Sequence, residues 1–373
     1  MSARFDVASR NCGIDIIRGI SILLVILLHI NIRIPIKNTE LGSLLPKRII
    51  WTFFTMGYEA VFMFFVISGF LITTNILRRS GCISHLDVKA FYVHRAGRIF
   101  PCLVLLVGLL SALAFFGYSQ YRLFTPSATI TGAAAAALGF YMNVYLSFVS
   151  PLPPSWDVLW SLSIEEVFYL AFPLLCLAAR WWRSGVLGTL TILALALPVF
   201  HSLVTGTNET WAEKSYGPGT SSIAVGVLAA HFVRHNWARA MALPLLCAGI
   251  TILIAALAWQ DKTVSIVGAG GDLFLIAVGT AALLISFSAQ PPAQRRLKMF
   301  LWLAPLGRRS YEIYLTHMFV VLAGVSLFRQ FGSVIQYGYL WYPPIVCVAA
   351  FLGIIVARFI SDRLNSFVRR KVI

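Results

Sequence analysis

Arg18 and His29 close the two ends of an apolar run, RGISILLVILLH, and each can do chemistry that aliphatic side chains cannot. A guanidinium can hold an anion, and an imidazole can act as a base or a nucleophile. At about 100° per residue the two side chains return to nearly one face, so they look along a single stripe about 16 Å apart. An ionisable group at membrane depth is costly and by default marks a substrate path or a reactive site. The competing account is packing: Arg18 would mark only the end of a span, and His29 would be satisfied by a neighbouring helix. Downstream, FYVHRAGRIFP sets Arg95 and Arg98 one turn apart at a helix entrance, with Pro101 just inside the span. That spacing suits two-pronged phosphate binding as well as a plain basic anchor. SWDVLWSLSIEEVFYLAFP carries Glu165 and Glu166 side by side, expensive unless paired, neutralised or wetted, so at least one needs a partner such as an arginine or His29. RRSYEIYLTHMFVV places Tyr311, Tyr314 and His317 at i, i+3 and i+6, and the last two can share a face; an interfacial aromatic belt is the alternative for the tyrosines. In GYEAVFMFFVISGFLIT, Ser68 and Gly69 interrupt a bulky run and permit close helix approach or a local opening of the backbone.

The elements that must position these groups are membrane spans. With 59% hydrophobic and 12% charged residues, the chain is far from a soluble globule, whose charged share is about 25%. The net charge of +16 comes from short Lys and Arg clusters between apolar segments, which signal topology and give no single basic stripe for nucleic acid. The six cysteines show no CxxC spacing, so neither a disulfide framework nor a metal site is expected, and the N-terminus lacks the pattern of a removed signal peptide. Apolar segments of spanning length lie near residues 14–34, 51–76, 98–118, 130–149, 160–180, 185–203, 219–234, 241–259, 264–288, 310–329 and 341–360. If every segment crossed, the basic connections after the fifth would face outward. Removing one crossing between residues 119 and 180 places the rich connections, including Arg4, Arg10, Arg369, Arg370 and Lys371, in the cytoplasm, and leaves only the loop with Arg33, Lys37, Lys47 and Arg48 on the other side. The reading is therefore an all-α, polytopic bundle of about ten transmembrane helices, eleven being the alternative, in one domain over residues 1–373. One segment is re-entrant or broken, either 130–149 or 160–180. The second is preferred, because Glu165 and Glu166 would then line a water-accessible cavity.

RGISILLVILLH, VFMFFVISGFLIT, HRAGRIFP, WSLSIEEVFYL and SYEIYLTH together resemble, in order and approximate separation, the membrane acyltransferase 3 family, bacterial O-acyltransferases of surface and exported polysaccharides. The resemblance covers nearly the whole chain. It implies a multi-pass protein of the bacterial inner membrane that takes an acyl group from an acyl-CoA, usually acetyl-CoA, to a hydroxyl of a saccharide or lipid-linked oligosaccharide. No permanently bound cofactor is implied. It also implies that the family's Arg and His are Arg18 and His29, that its paired arginines are Arg95 and Arg98, and that the glutamate of its WSLSxE motif is Glu165. In this reading Arg18, Arg95 and Arg98 hold the CoA phosphates. His29 is general base or transient acyl carrier and Glu165 orients its ring, while Ser68, Glu166, Tyr169, Tyr314 and His317 serve the substrate. The tail SDRLNSFVRRK lacks the Glu-Pro element often found after the last span, and no hydrolase-like domain follows it, so a partner needed for transfer would be another chain. The runner-up is a transporter or flippase of a lipid-linked sugar, against which stands the lack of hydropathy symmetry between halves.

Overall fold

The computed structural model describes residues 11–290, 294–331 and 334–364. Arg4, Arg10, Arg369, Arg370 and Lys371 lie outside the described residues. Among those described the protein is all-α, with no strand. Helix α1 (Cys12–Asn31) starts at Asn11, whose side chain accepts from the amides of Gly13 and Ile14. A short amphipathic helix, α2 (Lys47–Phe54), leads into α3 (Gly57–Ser80) and α4 (Val88–Phe115). Two short helices follow, α5 (Ile130–Leu138) and α6 (Met142–Phe148), and then α7 (Trp160–Ala178). The remainder comprises α8 (Arg183–Leu195), α9 (Leu197–Val204), α10 (Tyr216–Phe232), α11 (Ala242–Ala258), α12 (Gln260–Val267) and α13 (Gly271–Ala289). It closes with α14 (Leu303–Arg308), α15 (Ser310–Gln330) and α16 (Tyr342–Val356).

Among the described residues seven helices are long and apolar enough to cross a membrane, or up to nine if the bent pairs α8 with α9 (48°) and α11 with α12 (101°) each form one span. Helix α10, at 17 residues, is at the lower limit of spanning length, about 25 Å, and the sequence count of about ten is reached only by including it.

Contacts fix the relative directions of the helices. Trp160 packs on Tyr58 and Phe65, Glu165 meets Ser68, and Arg180 reaches the carbonyl of Ser84, so α7 runs parallel to α3. Helix α4 runs against α7, with Tyr92 bonded to the carbonyl of Leu170 and Arg95 beside Glu166. The chain from 116 to 159 must therefore begin and end at the same face of the bundle. One non-crossing segment is thus present, but it is 130–149 and not the preferred 160–180. Phe140 holds a positive φ of 59° between α5 and α6, which breaks the segment, whereas Glu165 and Glu166 sit on an unbroken helix because other side chains neutralise them. Helix α15 is parallel to α1, pairing Arg18 with Ser310 and His29 with His317. The bundle thus has an Arg18 end and a His29 end.

Gly69 does pack closely, as its position in a bulky run suggests. A Cβ there would lie 2.1 Å from the carbonyl oxygen of Ile223, and one on Gly226 of α10 would lie 2.0 Å from that of Val66. Backbone meets backbone at this crossing, and neither partner can yield as a flexible side chain could. Gly226→Val should therefore lower stability by roughly 1–3 kcal/mol or more, read as a lower thermal midpoint in detergent. An unchanged midpoint would refute the close crossing of α3 and α10.

Candidate active site

Five of the residues singled out from sequence meet at one point, where α3, α4 and α7 touch. Arg95 Nη2 lies 3.2 Å from Glu166 Oε1 and 3.6 Å from Glu165 Oε1, and its guanidinium stands 3.4 Å over the ring of Tyr169. Glu165 also accepts from the hydroxyls of Ser68 and of Tyr169, the latter at 2.8 Å, and the two hydroxyls are in contact. One delocalised cation thus serves two carboxylates and an aromatic face, which a point-charge ammonium could not do in the same geometry. The arrangement follows from helix extension: α4 begins at Val88, capped by Asp87 on the amide of Ala90. Arg95 and Arg98 are consequently inside the helix, two turns past its start, not at its entrance. Arg95 has its charge taken up by Glu165 and Glu166, whereas Arg98 is exposed.

Beside this cluster runs a cavity of about 400 Å³. It reaches from Arg79 and Asp87 at the Arg18 end to Ser161 and Tyr314, and is lined on the way by Arg18, Ser68, Arg98 and Ser310. Arg18 is buried and donates to Ser310 Oγ at 2.9 Å. Arg79 and Arg98 are exposed at the mouth, and among the described residues neither makes an ion pair. Toward the inner end the wall includes Val61, Phe65 and Tyr314, and the Tyr314 hydroxyl donates to the carbonyl of Val158 and bonds Ser161, both at 2.8 Å.

His29 does not line this cavity. It sits in the last turn of α1, its ring centre 5.2 Å from that of His317, and the ring of Tyr314 is 5.7 Å from His317. The contacts therefore run from cavity to Tyr314 to His317 to His29. Nor is Glu165 brought to His29: Ser68, Tyr169 and Arg95 are its partners among the described residues. On the far side, Arg33 donates to the carbonyl of His29 at 2.7 Å, and Lys214 pairs with Asp157 at 2.5 Å. Sequence reasoning passed over Ser161, Ser310 and Arg79. The first two lie inside quoted motifs, one turn from Glu165 and from Tyr314, but hydroxyls carry no signal of depth; Arg79 reads only as a topology charge. Among the described residues no group of three or more His, Cys, Asp or Glu side chains could hold a metal ion.

Residues 11–359 match a family model described as an acyltransferase domain. The provisionally named peptidoglycan O-acetyltransferase YrhL of Bacillus subtilis (strain 168) is 26% identical over 366 residues, which is 91% of this chain and 53% of that protein. Nodulation protein 10 of Rhizobium leguminosarum bv. viciae is 30% identical over 291 residues, 73% of this chain and 74% of that one. A provisionally named O-acetyltransferase of Staphylococcus aureus (strain COL) is 25% identical over 349 residues, 88% of this chain and 53% of its own. The chain thus spans about half the length of two of these three relatives. No solved structure matches it.

The two arginines of the HRAGR motif should separate experimentally. Arg95→Ala leaves two carboxylates uncompensated in a mostly buried site and should lower stability by about 3 kcal/mol or more, visible as poor recovery or early melting. Arg98→Ala should leave the melting temperature within a degree or two, since exposed charges contribute about 0–1 kcal/mol. Equal melting of the two variants would contradict the ion-pair assignment.

Proposed function

The chain belongs to the acyltransferase 3 family, and on that premise we propose that this multi-pass membrane enzyme moves an acyl group, most simply acetyl from acetyl-CoA, to a hydroxyl of a saccharide. Its site would be the bacterial inner membrane with the Arg18 end toward the cytoplasm, the side favoured by the basic connections. The observation that carries this reading is the cavity: at its mouth are Arg79 and Arg98, which make no ion pair among the described residues, and Tyr314 on its inner wall abuts the histidine pair. Arg79 and Arg98 receive the phosphates of the donor at the mouth, with Arg18 deeper along the wall. The pantetheine arm runs inward past Ser68, a path of about 16 Å from the level of Arg18 to that of His29, and brings the thioester to Ser161 and Tyr314. The acceptor, a polysaccharide unit or a lipid-linked oligosaccharide, approaches from the His29 end.

In the direct route, His29 removes the proton from the acceptor hydroxyl while that oxygen bonds to the thioester carbonyl carbon. The carbon–sulfur bond then breaks, and the departing thiolate takes the proton from the imidazolium and leaves as the free thiol. In the two-step route a His29 ring nitrogen bonds to the thioester carbonyl carbon as the carbon–sulfur bond breaks, and the departing thiolate takes the proton from the other ring nitrogen to leave as the thiol; the acyl group then passes from the ring to the hydroxyl oxygen while the ring takes the hydroxyl proton. The Arg95 cluster contributes by holding α3, α4 and α7 together along the cavity wall.

Purified protein should release thiol from acetyl-CoA and add the mass of one acetyl group to a saccharide acceptor, whereas a flippase would release no thiol. His29→Ala should lower that rate at least about 10²-fold while insertion stays normal. Near-full activity in this variant would remove His29 from the chemistry.

A further inference from the structure

His317 is wholly buried, and the chemistry above leaves it without a role. Its Nδ1 lies 2.6 Å from the carbonyl oxygen of Tyr314, one turn earlier on α15. A carbonyl only accepts, so the ring carries its proton on Nδ1, and the Nε2 of the neutral imidazole is left with a lone pair. That Nε2 is closed off from solvent and has no partner among the described residues. The same holds for one nitrogen of His29, its Nδ1, although His29 as a whole keeps partial exposure. Two shielded ring nitrogens without partners, on adjacent rings, are unusual, because buried polar atoms are nearly always bonded. A ring nitrogen lies about 1.1 Å from its ring centre, so two imidazoles joined by an N–H···N bond of about 3 Å have centres about 5 Å apart. The observed separation is 5.2 Å, with the rings tilted by 43°, which is close enough for such a bond, although the two nitrogens are not bonded to each other at the ring orientations of this structure.

We propose that His317 is the positioning residue of His29, and that a rotation of the adjacent rings from their present tilt brings His29 Nδ1–H into a hydrogen bond accepted by His317 Nε2. Since Nδ1 of His317 is committed to the Tyr314 carbonyl, only the Nδ1-protonated tautomer of His29 satisfies both rings. That choice leaves the lone pair of His29 on Nε2, the nitrogen not sealed in the protein, where it can take the hydroxyl proton or the acyl group. This is the role that sequence reasoning gave to Glu165, which the structure places with Arg95 instead. The support continues outward: Tyr314, whose carbonyl fixes the His317 tautomer, is itself pinned through its hydroxyl to Val158 and Ser161. The inference rests on the acyltransferase reading with His29 as the reacting group, and the experiment below separates failure of the one from failure of the other.

His317→Phe keeps the ring volume and loses the acceptor, and His317→Gln carries an amide oxygen that can stand near the position of Nε2. Both would be assayed in the full chain by thiol release from acetyl-CoA, with a saccharide extract of the cell envelope as acceptor. The Phe variant should lose at least about 10-fold in kcat with the KM for acetyl-CoA changed less than about twofold, and Gln should recover a substantial part of that loss. Wild-type kcat in His317→Phe, alongside an inactive His29→Ala, would overturn the proposal and leave the acyltransferase reading standing. Equal impairment of Phe and Gln variants that both melt like wild type would also overturn it, since the ring would then act by shape alone. Full activity of His29→Ala would instead sink the underlying assignment. If the Phe variant does not fold, ¹⁵N spectra of histidine-labelled wild-type protein decide: the signals missing from His29→Ala should report protonation at Nδ1, and protonation at Nε2 would refute the inference.

Discussion

Two carboxylates and one guanidinium cannot be carried into an apolar bundle independently, and how they share charge constrains much of this protein. Glu166 is 5% exposed, and Arg95 and Glu165 are only partly accessible. Any one of the three left alone would face a desolvation penalty of several kcal/mol. Together, with Tyr169 under the guanidinium and Ser68 on Glu165, they satisfy one another, and they do so only while α3, α4 and α7 keep their register. A slide of one turn, about 5.4 Å, would strand a charge. Apolar packing in a bilayer has no comparable preference for one register, because lipid tails are as apolar as leucine.

The same contacts explain which parts could be read from sequence and which could not. The stripe from Arg18 to His29 follows from helix periodicity alone, and both residues do face one element, α15. That Glu165 and Glu166 need a basic partner follows from burial cost; that the partner is Arg95, 71 residues before Glu166, does not. Periodicity places a residue on a face, but it carries no information about which helix the face meets. The expectation that 160–180 is the broken segment failed for this reason. It assumed that water must solvate the carboxylates, when a guanidinium and two hydroxyls do so within an unbroken helix. The actual break, at Gly139 and Phe140, follows an alanine-rich run with no charge to draw attention to it.

Another polar tie engages the same helix, α3. Gln260, at the bend between α11 and α12, divides its amide between Glu59 Oε1 (2.9 Å) and Asp272 Oδ2 (3.0 Å), joining α3 to α13 near the His29 end. An amide has two donor hydrogens and is well suited to bridging two acceptors. The Arg95 cluster and this bridge both engage α3, so the helix carrying Gly69 is fixed by polar contacts on two sides and by backbone contact with α10 on a third.

With α3 held in this way, the boundary between the cavity and the histidine pair rests on α15. Tyr314 is on the cavity wall and His317 follows it one turn later on nearly the same face, linked through the Tyr314 carbonyl. A motion that withdrew Tyr314 from Ser161 would also move the atom that fixes the His317 tautomer. Access between cavity and imidazoles and the protonation pattern of those imidazoles are therefore geometrically coupled through one helical turn. In the proposed reaction, such coupling would let a thioester enter from one face of a membrane and a hydroxyl from the other without opening a continuous aqueous path between them. In that scheme the side chain between the cavity and the histidine pair, Tyr314, belongs to the same turn that would orient the group on which donor and acceptor converge.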